Sequence, residues 1–137
     1  MRVFLDTKVL ASAVATRGIC ADILQVALSE HDLVLSEQVL SELRRALRRK
    51  FRVEATIADE VDEFLRREAE VIADAPKLHI AVRDEDDKRI LEQAVAAAAH
   101  VLVSGDRDLT GVVDPPLPIL TPRGLWDLLR ETPAESQ

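Results

Sequence analysis

The chain has 137 residues, 18 Lys+Arg against 25 Asp+Glu and a net charge of −7 with histidine neutral. That length holds one domain with a proper core, and 47% hydrophobic with 31% charged residues excludes a disordered chain. Three Phe, one Trp and no Tyr exclude a platform of stacking aromatics, and the lone Cys20 excludes a disulfide framework or a Cys-rich zinc site.

Val3-Phe4-Leu5 reads as a short strand closing at Asp6. The start is too short and too soon acidic for a secretory signal, and no apolar run approaches the ~20 residues of a membrane helix. A cytoplasmic location without a membrane partner is therefore expected. A helical pattern follows over about 19–29, then a second strand over 32–35. Ser36 is a good N-cap for a helix to about residue 50. Residues 56–73 predict a longer amphipathic helix with Ile57, Val61, Phe64, Leu65, Val71 and Ile72 as its apolar set. Residues 78–82 read as a weaker third strand, and Asp84 caps a helix through about residue 99. Val101-Leu102-Val103 is a fourth strand, bounded by Ser104-Gly105-Asp106. Residues 117–120 suit an edge strand, since proline is tolerated at an edge or a strand start. Thr121-Pro122 opens a last helix with Leu125, Trp126, Leu128 and Leu129. One domain over 1–132 is expected, with a disordered tail at 133–137.

The strands are apolar throughout rather than alternating, as in parallel strands covered on both faces. Their alternation with helices predicts an α/β fold: a three-layer α/β/α sandwich with a mainly parallel sheet of about five strands. In such sheets the working site lies at the carboxyl ends of the strands.

That rule selects Asp6 after the first strand, and Asp106 with Asp108 after the fourth. Each alone reads as an ordinary strand-end or capping aspartate. Asp87 says more. At ~100° per residue, Ile90, Leu91, Ala94 and Ala98 form one stripe, and Asp87 lies one turn before its middle, so it points inward. The ordinary alternative is a capping-box role at N3 beneath Asp84. Glu42 sits at the edge of the stripe Val39, Leu40, Leu43, Ala46 and Leu47, and helix geometry alone leaves it solvated. Two like charges ~4 Å apart repel by roughly 4 kcal/mol at an effective dielectric of ~20. Convergent carboxylates need a metal, bound protons or a cation. All-carboxylate ligation suits Mg²⁺ or Mn²⁺ rather than zinc, and His31, His79 and His100 have no ligand spacing.

Four motifs stand in order: Val3-Phe4-Leu5-Asp6-Thr7-Lys8-Val9-Leu10; Leu35 to Leu43 with Glu42; Asp84 to Ala94 with Asp87; and Val101 to Leu109 with Asp106 and Asp108. Pro118-Ile119-Leu120-Thr121-Pro122 closes the series. On these motifs the chain resembles a PIN-domain protein, of the kind that forms the toxin of prokaryotic toxin–antitoxin pairs. The resemblance implies a ribonuclease holding one or two Mg²⁺ or Mn²⁺ ions, with RNA as substrate and a cognate antitoxin as partner. It implies Asp6 and Asp106 as direct ligands, and Asp87 and Asp108 ligating directly or through water. It also lifts Glu42 to a ligand or a base for the attacking water, and gives Ser104 a supporting role.

Lys8 departs from the pattern, which has a small polar residue, usually Asn, at that place. Two expectations follow. Lys8 acts as an internal counter-ion that weakens metal binding, leaving an inactive protein that binds RNA or an antitoxin; or it swings to solvent and activity survives. Arg44, Arg45, Arg48, Arg49, Lys50 and Arg52 crowd one stretch, with Glu42 as the only acid from 42 to 52. They read either as a solvated face paired with Glu60, Asp62, Glu63 and Glu68, or as a phosphate-contacting face led by Arg44, Arg45 and Arg48, with Arg107 a further contact. Trp126 suits core packing, with a homodimer or antitoxin contact as the alternative. A receiver domain is disfavoured because its acids would stand elsewhere. A haloacid-dehalogenase-like phosphatase is disfavoured because Asp6-Thr7-Lys8 lacks the second aspartate.

Overall fold

The computed structural model describes residues 1–131. The tail expected at 133–137 therefore lies outside the described residues. Five strands, β1 (Arg2–Leu5), β2 (Asp32–Ser36), β3 (Glu70–Ile72), β4 (Val101–Val103) and β5 (Ile119–Leu120), form one parallel sheet in the order β3-β2-β1-β4-β5. The helices among the described residues are α1 (Thr7–Ala15), α2 (Ile19–Glu30), α3 (Glu37–Arg49), α4 (Ala55–Glu68), α5 (Glu85–Ala96), α6 (Arg107–Thr110) and α7 (Pro122–Glu131). The central strand β1 pairs Phe4 with Val34 of β2 on one side and with Leu102 of β4 on the other. Consecutive residues Val3, Phe4 and Leu5 are all buried. Successive strand residues face opposite ways, so helices cover both faces, which is why the strands read as unbroken apolar runs.

Four expectations need correction. The first concerns α1. Residues 7–15 form a helix that the pattern did not disclose, because nearly every position is apolar or small and no polar face marks the period. The second is the expected 56–73 helix, which stops at Glu68. Val71 and Ile72, both β-branched, pass into β3 and pair with Leu35 and Ser36. On α4 the core-facing pair is Ala58 and Leu65, seven residues apart, whereas Ile57 and Phe64 stay 46% and 41% exposed.

Third, residues 78–82 are not a strand. The backbone N–H of Leu78 donates to the buried Glu92 carboxylate at 2.8 Å, and Ile80 and Val82 pack on the core without joining the sheet. Last, α5 ends at Ala96, before the expected boundary, because Ala98 turns into the left-handed region at φ 55°. The Arg2 guanidinium donates to the Ala97 and Ala98 carbonyls and pins that turn beside β1. No single described helix is long and apolar enough to cross a membrane.

Candidate metal centre

Strand ends and helix starts coincide along one edge of the sheet, and that coincidence builds the site. Asp6 follows β1 and N-caps α1, accepting from the Val9 N–H at 2.9 Å. Ser36 closes β2 and N-caps α3 through Val39 at 3.1 Å. Asp84 N-caps α5 by accepting from the Asp87 N–H at 3.0 Å. Asp106 N-caps the single turn of α6, accepting from the Asp108 N–H at 2.8 Å. Acids gather here partly because the positive ends of helix dipoles do.

A cavity of about 600 Å³ opens along this edge. Asp6, Glu42, Asp84, Asp86, Asp87 and Asp106 line it, together with Lys8. One carboxylate oxygen each from Asp87, Asp106 and Asp108 lies within 4.8 Å of the other two. Asp108 completes that trio from outside the cavity wall.

The electrostatics follow from crowding. Burial pushes the Asp87 carboxyl up to about 7, reinforced by the charges of Asp106 and Asp84, a hydrogen bond with Asp106, and the charge of Asp6. Asp6, only 6% exposed, is raised chiefly by burial and by Asp106. Hydrogen bonds from the Ser104 hydroxyl and the Val9 backbone oppose that rise, and the Lys8 charge contributes least. Ser104 is fully buried, and its Oγ also accepts from the Asp106 N–H at 3.0 Å, so one hydroxyl serves both strand-end acids.

Glu42 is held differently. Thr7 Oγ1 donates to its Oε1 at 2.8 Å, and Gln38 Nε2 donates to its Oε2 at 3.1 Å. Gln93 Nε2 donates to Gln38 Oε1 at 2.7 Å, and Ser36 Oγ donates to Gln93 Oε1 at 2.6 Å. This relay joins α3, which carries Glu42, to α5, which carries Asp87. Sequence reasoning missed Thr7, Gln38 and Gln93. The signal for Gln93 was its place on the apolar stripe of α5, three residues after Ile90, where a buried amide needs partners.

The expected cations separate by position. Lys8 is exposed and lines the cavity, and it makes no ion pair among the described residues. Arg44 pairs with Asp59 of α4, and Arg48 donates to the Val53 carbonyl at 2.8 Å. Arg66 of α4 grips both Glu37 carboxylate oxygens at 2.8 Å. The two long helices are thus tied by Asp59 and Glu37, with Asp62 bound to Arg66 on its own helix. Of Arg44, Arg45 and Arg48, Arg45 alone faces the cavity, and Lys50 joins it. Arg107 is exposed in the first turn of α6, beside the acid trio. Trp126 is half-buried against the core while Leu125 is fully buried.

A family model for the PIN domain matches residues 2–108. Among solved structures the chain is similar to the crystal structure of VapBC2 from Rickettsia felis bound to a DNA fragment from their promoter. That match has a TM-score of 0.63 and 16% identity, and covers 88% of this chain and 98% of that one. No match is found among curated proteins.

Proposed function

The chain belongs to the PIN-domain family, and on that premise we propose that it is a metal-dependent endoribonuclease and the toxin of a cytoplasmic toxin–antitoxin pair. The observation that carries the reading is the trio Asp87, Asp106 and Asp108, whose carboxylate oxygens approach within 4.8 Å with buried Asp6 beside them. The donor set fits a hard divalent cation, since every group is a carboxylate and no histidine or thiolate takes part. Asp87, Asp106 and Asp108 would hold Mg²⁺ or Mn²⁺, with Asp6 as a further ligand. When bound, the ion supplies Lewis-acid polarisation of the phosphodiester and lowers the pKa of a water.

The remaining steps fall to the chain itself. Thr7 and Gln38 each occupy one side of the Glu42 carboxylate and leave lone pairs to accept a proton from the attacking water. Ser104 fixes the relative placement of Asp6 and Asp106. Lys8, exposed on the cavity wall, faces the place of a substrate phosphate rather than pairing with Asp6. The cognate antitoxin remains part of the proposal, alongside RNA as substrate.

Incubation of single-stranded RNA with the protein and Mn²⁺ is the direct test. Cleavage is expected, and it should vanish in EDTA and in Asp106→Asn. Intact RNA in the presence of bound Mn²⁺ would overturn the reading.

A further inference from the structure

The cavity does not end at the acids. It continues as a cleft between α1 and α3, following one face of each helix. From α1 and its C-cap it takes Thr7, Lys8, Ala11, Ser12 and Thr16; from α3 and its end it takes Glu42, Arg45, Ala46 and then Lys50 and Phe51. Thr7 to Thr16 spans about 13 Å at 1.5 Å per residue, which is longer than a hydrated ion requires.

The two ends of the cleft carry opposite charge. Every carboxylate in the lining belongs to the sheet-edge end, where they outnumber the single cation Lys8, and the far end carries Arg45 and Lys50 with none. The small side chains of Ala11 and Ala46 leave room between the two helices. The cations at the far end are also unspent. Arg44 and Arg48 are taken up by Asp59 and the Val53 carbonyl, whereas Arg45 has no ion pair among the described residues. The Lys50 ammonium rests over the Phe51 ring, 5.9 Å from its centroid, which holds it at the mouth.

We propose that the α1/α3 cleft is the track for the single strand leaving the cut, with Arg45 and Lys50 contacting the phosphates next to the one at the acid cluster. The inference rests on the nuclease reading above and assigns it a strand path. A polyanion with a charge at each repeat suits both ends at once: one phosphate at the acids, through a cation, and the next on Arg45 and Lys50. An acidic peptide could also bridge through a cation, but it lacks the regular charge at every repeat that meets both ends of the cleft.

The probe is a fluorescent oligouridylate of ten nucleotides, titrated with Ca²⁺ in place of Mn²⁺ over a range of KCl concentrations and checked to be intact afterwards, so that the acid end holds a cation and binding is read apart from cleavage. Arg45→Ser/Lys50→Ser should reduce the slope of log K against log[salt] by about 1.4, at ~0.7 per phosphate contact on a single strand. Arg67→Ser/Arg123→Ser removes as much charge from exposed sites outside the cavity and should leave the slope unchanged. All four residues are exposed, and unchanged circular dichroism and melting would show intact folding. An equal slope loss in both variants, no loss in either, or binding of an acidic decapeptide in place of the oligouridylate would each overturn the track. Slope loss confined to the Arg45/Lys50 variant, in a protein that never cuts RNA, would uphold the track and defeat the nuclease reading.

Discussion

Metal binding at this site should release protons, in amounts set by Asp87. Burial and the neighbouring Asp106, Asp84 and Asp6 raise its carboxyl to about 7, well above an ordinary aspartate. A ligating carboxylate must be ionised, so an incoming ion displaces whatever proton Asp87 carries. With Asp87 raised to about 7, release should be substantial at pH 7, larger at pH 6 and small at pH 8. Asp6, raised in the same direction by burial, adds to the release at the acid end. Mn²⁺ affinity should therefore fall as pH drops below 7, by up to about tenfold per unit from Asp87 alone. Calorimetric titration of Mn²⁺ in two buffers of different ionisation heat reads the proton count directly. In Asp87→Asn the release near neutrality should largely disappear, leaving what Asp6 contributes. Nil release at pH 6, or the same release with and without the Asp87 carboxyl, would refute the argument.

The same shift bears on stability without metal. A carboxyl whose folded pKa is raised favours the fold below its ordinary value and loses that contribution as pH rises through about 7. The metal-free chain should therefore melt lower at pH 8 than at pH 5 where Asp87 is the controlling group. Mn²⁺ should recover the difference at pH 8, because it binds the folded state.

Three further outcomes are expected. Gln93→Leu removes the acceptor of the buried Ser36 hydroxyl and the donor to Gln38, and should cost about 1–3 kcal/mol in urea unfolding; with Glu42 less firmly held, kcat should drop more than KM changes. Leu102→Ala empties a fully buried position in β4 and should cost about 2–5 kcal/mol, whereas Ile57→Ser on the outer face of α4 should stay within ~0.5 kcal/mol by thermal melting. Lys8→Asn removes an exposed charge with the smallest influence on Asp6, so Mn²⁺ affinity should change less than about fivefold by calorimetry; a gain of tenfold or more would restore the counter-ion reading.

The acids and the order of most elements were legible because each candidate aspartate is tied to a local boundary. Asp6 and Asp106 follow apolar runs, and Asp87 lies on the stripe of its own helix. The harder features depend on distant partners. Residues 70–72 and 78–82 are both short apolar segments, and β2 is what selects the first as a strand. In the second, Glu92 takes up the Leu78 N–H instead. Glu42 stood out by family resemblance alone, since its fixing groups Thr7 and Gln38 come from α1 and from the preceding turn of α3. Gln93 meets Ser36 and Gln38 across more than fifty residues of chain, a separation that no local period reports. Arg44 and Arg45 are adjacent in sequence, but Asp59 occupies one and the cleft receives the other.

The net charge of −7 takes on a spatial meaning in this arrangement. A strand-end aspartate that caps a helix uses one oxygen for a backbone N–H, as Asp6 Oδ1 does for Val9 and Asp106 Oδ1 does for Asp108. Its second oxygen has no such duty. The capping reading and the metal reading are therefore compatible for one side chain: the cap fixes the carboxylate and uses only one of its oxygens. Dipoles of α1, α3 and α5 offset part of the repulsion among these acids without removing it, and the raised Asp87 measures what is left over. Asp6, Asp84 and Asp106 are each satisfied as caps. Together they carry more charge than the helix ends balance, an excess that a divalent cation at this end of the cleft would offset, as the proposed function requires.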